Sequence, residues 1–296
     1  MAKFSGLGAV TAGWRIILRE PLAFGVWCLV YFAVAVVPQV VAFRHALPAF
    51  FQLMRSMGDG TPLTPEEIVR FQGEAASLQP VTLLAFVVSN GLVASAIFRA
   101  VLTPQDRRYF YLRMGGQELW VGLVVLVLGV AYAMGVFVMA IPVGLLGALA
   151  AAAGAAALLP LLVLAAVGVA VWAVLRLSMA PPASFDKHTF AFFESWAMTR
   201  GQAARMFVVG VALFLNLLAV EFLLAAIGMA AVGGSSGVSE LVGVWSANPQ
   251  AALANTTPLS WAALGLAVTV FGTFGQALFW GAWAEIYRGL AGKAAD

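Results

Sequence analysis

Long apolar runs separated by short polar stretches dominate the hydropathy pattern of this chain. A membrane-spanning helix needs about 20 predominantly apolar residues to cross roughly 30 Å of hydrocarbon. Six runs meet that requirement, at residues 21–43, 81–102, 119–145, 156–180, 206–232 and 259–287. The Ala/Gly-rich stretch 147–157 nearly joins the third run to the fourth, so we predict a tight turn at 150–154. The pattern predicts an all-α integral membrane protein, with six transmembrane helices in one polytopic domain over residues 1–296.

Composition supports this class and excludes several others. Hydrophobic residues occupy 62% of the 296 positions and charged residues only 10%, whereas soluble domains carry about 25% charge. The single cysteine, Cys28, excludes a disulfide framework and a Cys-based metal cluster, because both need several sulfurs. The two histidines, His45 and His188, argue against a multi-His centre. We therefore expect neither a metal nor a cofactor.

Basic residues are distributed unevenly between the two sides of the predicted spans. With the N-terminus inside, thirteen of the 16 Lys and Arg residues flank the spans on the cytoplasmic side, and only Arg44, Arg55 and Arg70 lie outside. The positive-inside rule then predicts a bacterial inner-membrane protein with both termini in the cytoplasm. This topology explains the net charge of +3, so no nucleic-acid partner is expected.

The segments between spans suggest an internal repeat. Arg99 and Arg176 end the second and fourth spans, and each is followed five residues later by a proline and then by an aromatic-rich segment. The N-terminal segment 4–19 shows a similar pattern, with apolar residues on one helical face and basic residues on the other. We predict three hairpin repeats, 1–102, 103–180 and 181–290, each preceded by a cytoplasmic in-plane amphipathic helix. Alternatively, the positive-inside rule alone places an arginine at each returning end.

Local signals give these in-plane helices approximate positions. Thr103-Pro104-Gln105-Asp106 has the N-cap pattern of a helix start. In 185–200, Phe185, Phe192 and Trp196 share one face of a predicted helix, and Lys187 and Glu194 share the opposite face. These helices would contact lipid at the anionic leaflet, or would only brace the bundle.

The predicted outer loops differ from one another. Thr64-Pro65-Glu66-Glu67 is a capping box that predicts a short amphipathic helix outside the membrane, between the first two spans. The loop 233–258 is rich in Gly, Ser and Asn and is expected to be irregular.

Polar residues at membrane depth are the candidates for a functional site. Glu221 is the only acid well inside a predicted span, and the other strongly polar residues at depth are Asn90, Asn216 and Gln276. A carboxylate with amides is able to bind a cation or relay a proton. The alternative is that Glu221 lies near a helix end and is simply hydrated.

Two further groups are candidates for lipid contact and helix packing. The inner-end arginines Arg99, Arg176 and Arg288 carry guanidinium groups that match phosphate oxygens, although snorkelling to the interface explains them equally well. A stripe of small residues recurs every four positions in the sixth span and predicts a close helix contact, within the bundle or between copies. Its members are Gly265, Thr269, Thr273, Ala277 and Gly281.

No catalytic motif is present in the sequence. It contains no phosphate-binding loop, no His-Glu-x-x-His and no Gly-x-Ser-x-Gly elbow. On one helix, His188 and Ser195 would lie about 10 Å apart, which is too far for a dyad. We therefore expect no enzymatic activity.

One segment resembles a known family. Arg176, the pair Pro181–Pro182, and then Glu194–Trp196 and Thr199–Gly201 before a new span resemble a bacterial six-span family. It comprises the membrane domain attached to some glycerophosphoryl diester phosphodiesterases and stand-alone inner-membrane proteins of the YciC type. The resemblance implies a stand-alone membrane domain. It does not imply the phosphodiesterase activity, because only eight residues follow Arg288.

These observations favour a non-enzymatic lipid-associated membrane module or assembly subunit. Its expected partners are membrane lipids, and a second copy of the chain or another membrane protein is a further expected type of partner. A small transporter or channel with a polar path around Glu221 is the alternative. An intramembrane enzyme is least expected, because no acid–base or nucleophile pair can be assembled.

Overall fold

The computed structural model describes residues 4–42, 50, 64–231, 243, 255 and 257–292. Across these residues the chain is helical and contains no strand. Six of the described helical segments are long and apolar enough to cross a membrane: Pro21–Ala42, Ile68–Leu102, Arg108–Ala152, Leu159–Lys187, Ala203–Leu224 and Gly265–Leu290. Each overlaps one predicted span, although the bounds differ by up to 13 residues, so the predicted all-α class with six such helices is confirmed.

We number the α-helices of the described residues in chain order. They are α1 (Gly6–Arg19), α2 (Pro21–Tyr31), α3 (Pro65–Ser89), α4 (Ser95–Leu102), α5 (Gly116–Ala152), α6 (Leu159–Leu177), α7 (Ala180–Lys187), α8 (Glu194–Met198), α9 (Ala203–Ala231) and α10 (Pro258–Leu290). Two π-helical turns, Phe32–Val36 and Asn90–Ala94, follow α2 and α3. Two 3-10 turns, Arg108–Tyr111 and Ala156–Leu158, precede α5 and α6.

The chain forms two compact units. Unit 1 comprises Met1–Ala23, Asn90–Ala212 and Gln276–Asp296, and unit 2 comprises Phe24–Ser89 and Leu213–Gly275. The candidate site described below lies entirely in unit 1.

The core of unit 1 is built from aromatic and small side chains. Phe98 on α4 contacts Phe185 on α7 and Trp280 on α10, with ring centroids 5.8 and 5.6 Å apart. Small residues let backbones approach, since a Cβ on Gly13 of α1 would lie 2.5 Å from the Ala277 carbonyl oxygen of α10. Only glycine therefore fits at position 13.

Unit 2 contains similar close contacts. The π-helical turn Phe32–Val36 packs against α3. A Cβ on Gly272 would lie 2.7 Å from the ring of Tyr31, and one on Gly265 would lie 3.2 Å from that of Phe32. Thr269 is buried and donates its hydroxyl to the Gly265 carbonyl at 2.6 Å.

Local sequence signals explain several helix ends. The Ser5 hydroxyl caps α1 by accepting a hydrogen bond from the Gly8 amide at 3.1 Å. α5 ends at Ala152, and Gly154 then adopts a φ of +71°, a value that glycine tolerates without steric cost. The tight turn predicted at 150–154 is confirmed.

Two of the three predictions of in-plane helices are wrong, because these segments do not form continuous α-helices. Thr103–Asp106 starts no α-helix, and the following residues form the 3-10 turn Arg108–Tyr111. The predicted helix 185–200 is interrupted, because α7 ends at Lys187 and His188 adopts a φ of 56°. Phe185, Phe192 and Trp196 therefore do not share one helical face, although Lys187 and Glu194 still form an ion pair.

The separate outer helix predicted from the capping box is also wrong. A helix does begin at Pro65, but it continues without a break through Pro80 to Ser89. Prolines are tolerated inside membrane helices when neighbouring groups satisfy the freed carbonyl. The predicted loop 233–258 lies outside the described residues, apart from Gly243, Asn255, Thr257 and Pro258.

Candidate functional site

A cavity of about 250 Å³ opens in unit 1 at the N-terminal end of α5. Its walls come from α4, from the segment before α5, from the first residues of α5 and from the residue after α7. The lining residues are Arg99, Arg113, Met114, Gly115, Gly116, Gln117, Glu118, Trp120 and His188. The cavity therefore lies between the two segments that connect consecutive spans, residues 103–115 and 188–202, here called the first and second connecting segments.

A buried ion pair forms one wall of the cavity. The side chains of Arg99 and Glu118 are only 2% and 8% exposed, and Arg99 Nη2 lies 2.5 Å from Glu118 Oε1. Arg99 also donates to the Tyr111 carbonyl and to Gln117 Oε1, and its guanidinium lies 5.3 Å from the ring centroid of Phe185. The pair is well bonded, as a buried charge must be to persist.

Gln117 links the start of α5 to the end of α7. Its amide nitrogen donates to the Phe185 carbonyl at 3.1 Å and contacts His188 Nε2 at 3.0 Å. The cavity wall is thus fixed by hydrogen bonds on both sides.

The first connecting segment contains a left-handed turn. Tyr109, Phe110 and Tyr111 have φ values of 53°, 57° and 68°, which is unfavourable for residues with a Cβ. Tyr111 is buried and anchors the turn, since its hydroxyl contacts Pro104 O at 3.3 Å and Glu20 Oε1 at 3.4 Å. The turn leaves the side chain of Tyr109 79% exposed.

Arg176 lies at the end of α6 beside two indole rings that contact each other. Its guanidinium carbon is 4.8 Å from the ring centroid of Trp196 and 6.0 Å from that of Trp172. Its carbonyl oxygen accepts hydrogen bonds from the hydroxyls of Ser195 at 2.8 Å and Thr199 at 3.2 Å. Ser195 also accepts from the Met179 amide at 3.0 Å, so this serine joins α8 to the end of α6.

The third inner-end arginine, Arg288, has a carboxylate partner. Its Nη2 lies 2.7 Å from Glu285 Oε2, one turn earlier on α10. The adjacent Tyr287 is buried and donates to Asp186 Oδ2 on α7 at 2.8 Å. Of the three arginines predicted to bind lipid headgroups, Arg99 and Arg288 are therefore paired with acids of the chain itself.

The predicted intramembrane polar residues fall in both units. Asn90 and Gln276 belong to unit 1, and Asn90 Oδ1 accepts from Trp280 Nε1 at 3.1 Å. Asn216 and Glu221 belong to unit 2, where Glu221 is exposed and Asn216 half-buried. Five residues on one helix turn through about 140°, so Asn216 and Glu221 project from different faces of α9.

The small-residue stripe of the sixth span is buried along its whole length. The buried residues are Gly265, Thr269 and Thr273 in unit 2 and Ala277 and Gly281 in unit 1. A Cβ on Gly281 would lie 3.0 Å from the Gly13 amide nitrogen. In unit 1 the stripe is therefore covered by α1 of the same chain.

Sequence reasoning missed Glu118, the buried acid of the site. It lies one residue before the predicted third span, so a search for polar residues within the spans does not include it. The available signal was its position in the first turn of a helix, together with an arginine at the end of the preceding span. Ser195, which the sequence places too far from His188 for a catalytic dyad, is fully buried and makes hydrogen bonds within the chain.

Exposed apolar and basic side chains surround the site. In the connecting segments Tyr109, Met114 and Phe193 are 79%, 88% and 81% exposed, and they neighbour the exposed Arg107, Arg108 and Lys187. On α1, Leu7 and Leu18 are likewise exposed, as are Arg15 and Arg19. Glu20, which follows α1, contacts Arg107 at 2.9 Å and joins α1 to the first connecting segment.

Among the described residues, no group of His, Cys, Asp and Glu is arranged to hold a metal ion.

The chain matches no family model, no curated protein and no solved structure at a significant level. The resemblance carried by Arg176–Gly201 therefore stays a prediction.

Proposed function

We propose that this polytopic membrane protein is a non-enzymatic, lipid-associated module whose connecting segments and α1 bind the cytoplasmic face of a bacterial inner membrane. One observation carries the proposal: each segment of unit 1 that precedes a predicted outward span exposes large apolar side chains beside basic ones. In α1 these are Leu7 and Leu18 with Arg15 and Arg19. Side chains of this kind bind at the interface, where apolar parts enter the acyl region and cations meet anionic headgroups.

The hydrogen bonding inside unit 1 supports a binding role over a catalytic one. The side chains that are capable of acid–base or nucleophilic chemistry, namely Glu118, His188 and Ser195, all make contacts that join helix ends. Ser195 uses its hydroxyl both as donor and as acceptor, and a serine nucleophile needs a neighbouring base to activate it. The hydrogen bonds and the ion pair of these residues hold the lipid-facing segments in place.

The test compares thermal unfolding of the purified protein in nanodiscs of phosphatidylglycerol and of phosphatidylcholine. We expect a higher unfolding midpoint in the anionic lipid, because exposed arginines contribute about 1 kcal/mol each near an anionic surface. Met114→Ser and Phe193→Ser should reduce this difference, since both side chains are largely exposed. Leu146→Ser is the matched control, because Leu146 is 49% exposed within α5 and away from both connecting segments. Equal midpoints in the two lipids would overturn the proposal.

A further inference from the structure

Arg176 is a buried cation for which the described part of the chain supplies no anion. The residue is 7% exposed, and its Nε atom is buried without a hydrogen-bond partner. Arg99, which is also buried, has Glu118 at 2.5 Å, and Arg288 has Glu285 at 2.7 Å. Arg176 thus differs from both other inner-end arginines, because no described carboxylate or carbonyl accepts from its guanidinium.

The buried Nε–H of Arg176 is costly, because it has lost water and gained no hydrogen bond in return. The indoles of Trp172 and Trp196 compensate in part through cation–π contacts at 6.0 and 4.8 Å. Ring faces, however, do not replace the in-plane acceptors that the five N–H donors of an arginine require. The arrangement therefore lacks an anion.

The surroundings of Arg176 indicate which anion fits. It lies in the last turn of α6, a span-length apolar helix, and both tryptophans are partly exposed, at 48% and 42%. Partly exposed tryptophans are typical of the boundary between hydrocarbon and headgroups. At that depth the abundant anion is phosphate, whose oxygens match the guanidinium fork in a bidentate arrangement.

The backbone at Arg176 is held in place by α8. Hydrogen bonds from Ser195 and Thr199 to the Arg176 carbonyl fix the end of α6 against the helix that carries Trp196. The two indoles also contact each other edge to face, with centroids 5.1 Å apart. The backbone of Arg176 and the two rings are therefore held together before any ligand arrives, which lowers the entropy cost of binding.

We propose that Arg176, flanked by Trp172 and Trp196, binds a phosphate group, either the phosphodiester of an anionic phospholipid or free phosphate. The inference rests on the proposed lipid association and names one ligand-binding residue within it. The interface as a whole involves many exposed side chains, whereas this site depends on a single buried one.

The experiment titrates the delipidated, detergent-solubilised protein with dioleoyl-phosphatidylglycerol and counts adducts by native mass spectrometry. For the wild type we expect one lipid to bind more tightly than the rest. Arg176→Gln should weaken that first binding by about tenfold or more, since a charge-assisted bidentate contact is lost. Arg176→Lys should bind with intermediate affinity, because it keeps the charge and loses the planar fork. Arg205→Gln removes one exposed arginine from α9 and should change the affinity less than twofold.

A second arm separates the two sources of phosphate. Millimolar inorganic phosphate added to the wild type should displace the first lipid if free phosphate is the ligand, and should leave it bound if the phospholipid is the ligand.

A variant that keeps an aromatic ring, Trp172→Phe, is the second test in case Arg176→Gln misfolds. It should weaken the same first binding by a smaller factor.

The inference is overturned if wild type and Arg176→Gln bind phosphatidylglycerol and inorganic phosphate equally. That result leaves the nanodisc comparison unaffected, because the stabilisation by anionic lipid derives from the exposed segments. Conversely, equal nanodisc midpoints combined with Arg176-dependent binding of inorganic phosphate would overturn the lipid module and retain the phosphate site.

Discussion

Three arginines that look alike in the sequence have different surroundings in the fold. Arg99 is enclosed by Glu118, Gln117 and the Tyr111 carbonyl, whereas the guanidinium of Arg176 contacts two indole rings and finds no acceptor in the described part of the chain. Arg99 therefore holds α4 beside α5 through its ion pair with Glu118, whereas the role that we propose for Arg176 is to bind an external anion. The charge of the side chain is the same, and the acceptor decides its role.

The buried pair Arg99–Glu118 leads to a prediction about stability. Either single change, Arg99→Met or Glu118→Gln, should destabilise the protein by about 3–5 kcal/mol, because it leaves the other charge buried alone. The double variant Arg99→Met/Glu118→Leu should recover most of that loss. SDS titrations of the wild type, the two single variants and the double variant give their free energies of unfolding, and from these the coupling free energy between the two residues. Additive losses in the double variant would show that the two residues act independently.

The same residues show what the sequence is able to predict. Apolar runs of span length predict the six helices because hydrophobicity over about 20 residues is a local property. The partner of Arg99 is not local, since Glu118 lies 19 residues away and meets it only when α4 packs beside α5. Glu221, in contrast, is predicted only to lie well inside a span, and its exposure in the structure could not be predicted, because the sequence does not show which face of α9 is covered.

At the scale of elements, the connecting segments depart most from the predicted pattern. The cap signal at Thr103 predicted a helix, but the chain instead turns sharply so that the Tyr111 carbonyl reaches Arg99. The backbone adopts three consecutive positive φ values to do so. A long-range contact with a buried charge therefore overrides a local propensity, as tertiary contacts often do.

Tyr109 allows a test of strain in this turn. Tyr109→Gly removes the Cβ from a left-handed residue and should relieve about 1–2 kcal/mol of strain, of which chain entropy cancels about 0.5–1 kcal/mol. The variant should therefore unfold at a slightly higher temperature, while its preference for anionic nanodiscs falls. The control Tyr132→Gly, on the exposed face of α5, should lose about 1 kcal/mol. A destabilised Tyr109→Gly would show that the aromatic side chain contributes more than the strain costs.

The contact between α1 and α10 leads to a second prediction for an element. Gly13→Ala places a Cβ 2.5 Å from backbone atoms of Ala277 and Leu278, so the two helices must separate, at a cost of about 1–3 kcal/mol. Limited proteolysis should then release α1 faster than in the wild type. The matched change Gly25→Ala meets no neighbouring atom within 4 Å and should leave proteolysis unchanged. Equal rates for both variants would contradict the close contact.

At the scale of the whole molecule, the polar residues separate into two groups with different environments. In unit 1 several polar residues at helix ends bond to one another, with Arg99–Glu118 as the central pair, whereas Arg176 Nε and Gln276 Oε1 are buried without a partner among the described residues. In unit 2, Glu221 and Asn216 lie on different faces of one helix, which is a poor arrangement for a continuous polar path. This distribution favours a module that binds at its surface over one that transports through its interior.

Transport around Glu221 is directly testable. If no polar path runs past Glu221, Glu221→Gln should fold as the wild type does, and proteoliposomes should show the same proton and potassium flux with either protein. Glu66→Gln, the same chemical change at an exposed residue of α3, and protein-free liposomes provide the controls. A wild-type flux above that of the empty liposomes that disappears only in Glu221→Gln would establish a polar path through unit 2. The lipid-binding surface of unit 1 would then serve a transporter, and the anionic-lipid preference should persist unchanged in Glu221→Gln.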